Sequence, residues 1–110
     1  MEPKIIDMDA YRTSSVGVFS GRQRGRKVRS SANIPEKDQD DNNYMVNFPS
    51  DVYHVASSFF LGMFGDSVRA LGEEEFRGKY CFNGPPSLDR VVRSGIEEAM
   101  KEDSPLSSNQ

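Results

Sequence analysis

Apolar residues fall in short runs separated by polar ones, and the spacing within each run predicts its element. Residues 4–8 (Lys-Ile-Ile-Asp-Met) and 15–19 (Ser-Val-Gly-Val-Phe) predict two strands, the second alternating. A turn over residues 9–14 would join them as a hairpin. Ser20 then suits an N-cap, and residues 21–32 predict a helix. Residues 33–43 (NIPEKDQDDNN) carry almost no apolar side chain and predict a mobile acidic loop. Residues 44–48 predict a strand ended by Pro49, and residues 51–54 a connection. Residues 57–71 predict the clearest helix, with Gly72 placed to stop it. After a polar turn or short helical piece at 73–76, residues 79–82 predict a short strand. A last helix over 88–101 places Leu88, Val91, Val92, Gly95, Ile96 and Ala99 at helical spacing behind a Ser87 cap.

The order β-β-α-β-α-β-α predicts an α/β fold, a single small mixed sheet with helices packed on it. One domain spans residues 1–103, and residues 104–110 read as a disordered tail. Residues 59–64 are apolar nearly all round, more than a helix packed on one sheet face needs. Either the domain's own elements or a partner, including a second copy in a homodimer, would cover the surplus.

Charge changes the picture. The 110 residues carry 14 Lys+Arg and 17 Asp+Glu, a net charge of −3, which taken alone argues against an anionic partner. Residues 10–35, however, hold six basic residues and no acidic one, leaving 8 basic and 17 acidic elsewhere. On a helix Arg22, Arg26 and Arg29 form one cationic stripe, widened by Arg24 and Lys27. The stripe suits phosphate or carboxylate, and nucleic acid is one candidate, though no aromatic residues interleave with the arginines. A solvated face is the plain alternative. The glycine spacing around Gly21 and Gly25 does not fit a P-loop.

One cysteine, Cys81, and one histidine, His54, exclude an intramolecular disulfide and a Cys/His zinc site. Cys81 sits in an apolar run and reads as a small buried hydrophobe. No acid is placed to orient His54, and the acidic pairs are adjacent rather than converging, so no enzyme, cofactor or metal is expected. Apolar runs are far shorter than a membrane span and no signal peptide is visible, so a cytoplasmic setting is expected.

One set of motifs goes further. Phe19-Ser20-Gly21-Arg22 is followed by Gly25-Arg26 and Arg29, then by a strand ending Asn47-Phe48. Ser57-Ser58-Phe59-Phe60 comes next, with Phe64-Gly65, Leu71-Gly72 and Glu75-Phe76 downstream. In this order the chain resembles the STAS-like domains, a family of unknown function related to the STAS fold of anti-sigma-factor antagonists. The resemblance implies a bacterial or phage regulatory or adaptor domain, in a signalling or defence-associated system, that acts by protein–protein contact. The start of the central helix (Ser57, Ser58, Phe59, Phe60) would be the docking edge, with Arg22, Arg26 and Arg29 as a second contact. It also implies Ser57 and Ser58 as phosphorylation sites for a kinase-like ATPase partner; as residues alone they read as a helix cap. The STAS motif has an acid before the serine pair and a glycine after it, where this chain has Ala56 and Phe59. On this reading Phe59→Asp abolishes partner binding and leaves the fold intact. The alternatives are a small inhibitor of mobile-element origin that blocks a larger complex, and a nucleic-acid-associated regulator using residues 20–32.

Overall fold

A computed structural model describes residues 2–12 and 17–102. Strand β1 (Lys4–Asp7) leads into a 3-10 turn (Met8–Tyr11), followed by β2 (Val18–Phe19), α1 (Arg22–Ser31) and α2 (Ile34–Gln39). Then come β3 (Tyr44–Asn47), β4 (His54–Val55), α3 (Ser57–Leu71), α4 (Glu73–Lys79), β5 (Tyr80–Asn83) and α5 (Leu88–Glu102). The chain is α/β, with a small sheet packed against helices.

The strand pairs are parallel. β3 lies between β1 and β5 in the order β1-β3-β5, and β2 pairs with β4 separately. Among the described residues β1 and β2 do not pair, so the expected hairpin, and with it the single mixed sheet, is not seen there. Long helical crossovers separate β1 from β3 and β3 from β5, and crossovers of that length suit parallel pairing. Residues 15–16 of the expected second strand, and the expected tail at 104–110, lie outside the described residues.

Register explains the core. Ile6, Val46 and Phe82 stand in one row, and Tyr44 and Tyr80 in the next. Strand side chains alternate between faces, so these rows share one face, where Ile6, Val46, Tyr44 and Tyr80 are buried. Phe60 and Phe64 of α3 and Phe76 of α4 meet Tyr80 and Phe82 with ring centroids 5.0 to 6.2 Å apart. The opposite face carries Ile5, Met45 and Cys81 in one row, with Ile5 58% exposed. Cys81 is therefore exposed, not buried as its apolar neighbours suggested; its parity puts it on the open face.

Helix α3 is the hub. Gly25 of α1 and Gly62 of α3 meet backbone to backbone: a Cβ on Gly62 would stand 2.1 Å from the Arg22 carbonyl oxygen, and one on Gly25 2.3 Å from that of Phe59. Gly95 of α5 makes room for the Phe60 ring, 2.2 Å from where a Cβ would be. The surplus apolar surface of α3 is thus covered by the domain's own elements.

Residues 33–43 are not a plain loop. Asn33 takes a left-handed conformation (φ 55°) that separates α1 from α2, and Pro35 suits the first turn of α2. Ile34 is fully buried. Lys37 Nζ donates to the Ala32 carbonyl at 2.7 Å, and Asp38 and Asp40 bond inward while Glu36 and Asp41 are exposed.

Candidate functional site

At the start of α3, Ala56 is extended and no side chain caps the helix; Phe60 N donates to the Ala56 carbonyl at 3.2 Å. Ser57 is exposed. Ser58 is half-buried, and its Oγ accepts from Gly21 N at 3.1 Å, tying α3 to the residue that precedes α1. Phe59 and Phe60 are 1% and 3% exposed. Both point into the core, so neither offers a docking surface in this conformation, and the docking edge expected from the sequence reduces to its serines.

The arginine stripe is split by the fold. Arg22 turns onto the end of α5, its Nη2 lying 2.8 Å from both carboxylate oxygens of Glu102. Arg29 turns inward, donating to the Met63 carbonyl and to Ser67 Oγ, each at 2.8 Å, and to Asp38 at 3.3 Å. Only Arg26 of the three is exposed; a hydrogen bond from Arg69, with smaller help from the charges of Arg69, Arg29 and Arg26, holds the Asp66 carboxyl below its usual range. Around Ser57 these placements leave a groove of about 370 Å³, lined by Arg22, Ser57, Ser58, Leu61, Glu98 and Glu102 among others.

On the other side of α1, Arg24 and Lys27 join Arg12 and Tyr11 along a groove of about 620 Å³, lined by no acidic residue among the described residues. Arg12 grips Asp51 with two bonds of 3.0 and 3.1 Å and Asp9 with one of 3.2 Å, which lowers the Asp51 carboxyl and raises the guanidinium.

A second polar cluster has no counterpart in the sequence reading. Ser67, fully buried, donates to Asp38 Oδ2 at 2.6 Å, while Tyr80 donates to Asp38 Oδ1 at 2.7 Å. Burial, reinforced by Asp38, pushes the Tyr80 phenol far above its ordinary range. Lys79 Nζ donates to Asp40 Oδ1 and to the Asp40 and Asn42 carbonyls within 2.9 Å, and Tyr44 donates to Asp40. These partners come from α1, α2, α3, β3 and the α4–β5 junction, so no local spacing could signal them. The cluster pins α2 to the body of the domain and offers no open substrate position.

His54 is exposed. Among the described residues no three His, Cys, Asp or Glu side chains cluster as metal ligands, and no helix is long and apolar enough to cross a membrane. Comparison of the chain with protein-family models, with curated proteins and with solved structures found no match.

Proposed function

We propose that the chain is a non-enzymatic regulatory domain of STAS-like kind that docks a protein partner at the open end of α3. The observation that carries this reading is the groove around Ser57, an exposed hydroxyl on an uncapped 15-residue helix, opposite an arginine already engaged with a carboxylate. An anion at a helix start is favoured by the unpaired N–H groups and the helix dipole. A phosphate on Ser57 would compete with Glu102 for Arg22 and loosen the last turn of α5. Leu61, half-buried in the groove, supplies its apolar contact.

The test compares wild type, Ser57→Glu and Leu61→Arg in affinity capture from the native host, with hydrogen exchange over residues 97–102. The reading expects a partner lost from Leu61→Arg and faster exchange at the end of α5 in Ser57→Glu. An identical partner set and identical exchange in all three would defeat it.

A second reading rests on the outer side of α1, where Arg24, Arg26 and Lys27 are exposed. Three phosphate contacts to a duplex give a salt slope of about −2.7 in log K against log salt. Binding to DNA or RNA that is absent, or flat with salt, ends that reading.

A further inference from the structure

The carboxyl ends of β3 and β5 open into a cleft of about 670 Å³. Ligands of open α/β sheets characteristically sit beyond the carboxyl ends of the strands. Asn47 and Asn83, the last residues of these strands, are register partners, so two carboxamides stand side by side at the cleft wall. Phe48 and Val52, both buried, form its floor. Tyr53 is 66% exposed yet held in place: Tyr53 N donates to the Gly17 carbonyl at 2.9 Å, and a Cβ on Gly17 would lie 3.0 Å from the ring. Asn47 Oδ1 is buried and has no hydrogen-bond partner among the described residues. Asn47 lines the cleft, and χ2 is a soft torsion for asparagine, so its carboxamide can exchange oxygen and nitrogen there. Among the described residues no Lys, Arg, His, Asp or Glu side chain lines the cleft. Asp7, the other register partner of Asn47, adds a carboxylate beside it, not a cation.

We propose that this cleft binds a neutral planar ring bearing an amino donor, the chemistry of a purine base. The ring would stack on Tyr53 and donate its amino hydrogen to Asn47 Oδ1, with Asn83 meeting the ring edge. A carboxamide matches the donor–acceptor pair of adenine, and aromatic stacking is a common way of holding an unpaired base. With no cation in the cleft, the base carries the binding and phosphates add nothing.

The test is a titration with adenosine to millimolar concentration, read by ¹⁵N NMR, and repeated with ATP at low and moderate salt. Shifts are expected at the side-chain amides of Asn47 and Asn83 and at Tyr53 N–H, with adenosine and ATP binding equally. Loss of a stacking contact weakens binding about 5- to 150-fold, so Tyr53→Ala is expected to fall in that range while Tyr53→Phe, which keeps the ring, binds as wild type. Asn47→Ala should weaken binding without moving the melting temperature by more than a few degrees. Absence of shifts in the cleft at saturating adenosine would overturn the proposal. So would undiminished binding by Tyr53→Ala, or a salt-sensitive preference for ATP, which would move the site to the cationic side of α1.

Discussion

At the α1–α3 crossing two helix backbones meet at Gly25 and Gly62, and Gly62→Ala tests that contact directly. The added Cβ would stand 2.1 Å from the Arg22 carbonyl oxygen, 2.9 Å from its carbonyl carbon and 3.0 Å from Arg26 N. Non-bonded heavy atoms sit best at about 3.5 Å. All three neighbours are backbone, so no side chain can swing aside and the helices must part by about 1 Å. A gap of that size forfeits about a quarter to a half of the dispersion attraction across it, here around the buried Val28, Phe59 and Met63. Overpacking of this kind costs about 1–3 kcal/mol or more, and alanine's better helix propensity returns about 1 kcal/mol. Three backbone neighbours that cannot move aside put the cost at the upper end of that range, so the net expectation is a loss of about 2 kcal/mol, which lowers the melting temperature by about 8–15 °C in a domain of this size. Gly78→Ala is the control: α4 holds it, and nothing lies within 4 Å of its would-be Cβ. It is expected to stabilise by about 0.5–1 kcal/mol. Gly25→Ala strains the same crossing from the other side, so the double variant with Gly62→Ala should cost less than the sum of the singles, because one separation relieves both. Urea unfolding measures all four. A Gly62→Ala variant as stable as wild type would refute the close backbone contact.

Ser67→Ala removes a buried hydroxyl that serves both Arg29 and Asp38, and is expected to cost about 1–3 kcal/mol in urea unfolding. Asp40 is pushed up by partial burial, but hydrogen bonds from Tyr44, Lys79 and Asn42 outweigh that and hold its carboxyl well below the ordinary range. Its contribution is present above the unfolded value of about 3.9 and is lost as pH falls below it. The urea midpoint should therefore be level down to about pH 5 and drop below about pH 4, and Asp40→Asn should flatten that drop. Phe59→Asp places a charge at a 1% exposed core position, so circular dichroism should show an unfolded chain instead of a folded binding mutant. Cys81 is exposed, and a thiol reagent should label it in the native protein as fast as in denaturant; a protected thiol would contradict the open sheet face.

The parts of this fold that were legible in the sequence are those whose signal is local. Residues 57–71 combine helical spacing with a glycine that takes φ 84° at position 72, and both boundaries follow from that stretch alone. The last helix is equally local. Helix α2 was illegible because its anchors are distant: Asp38 is held by Arg29, Ser67 and Tyr80, and Asp40 by Lys79 and Tyr44, none of which a window over 33–43 contains. Asp38 and Asp40 suggest solvent only until their partners are known. Cys81 and the missing hairpin share one cause. Hydrophobic pattern identifies a strand, but neither its neighbour nor which side of the sheet is covered, and here one side is open.

The candidate site follows the same logic with a different consequence. The sequence places Ser57 through Phe60 together, yet a helix distributes four consecutive residues around its axis. With α1 and α5 packed on α3, Phe59 and Phe60 are taken by the core while Ser57 remains outside. The arginines divide likewise: Arg29 becomes an internal ligand of backbone and carboxylate, Arg22 a clasp on α5, and Arg24, Arg26 and Lys27 the outward charge. The excess positive charge of residues 10–35 is therefore not one surface. Arg22 and Arg29 hold the domain together, whereas Arg26 and Lys27 are exposed on the outer side of α1. Loss of Arg22 or Arg29 should then be read first in stability, and loss of Arg26 or Lys27 first in binding. A double-charge variant of the outer pair that unfolds, or an Arg29→Ala variant as stable as wild type, would reverse that division.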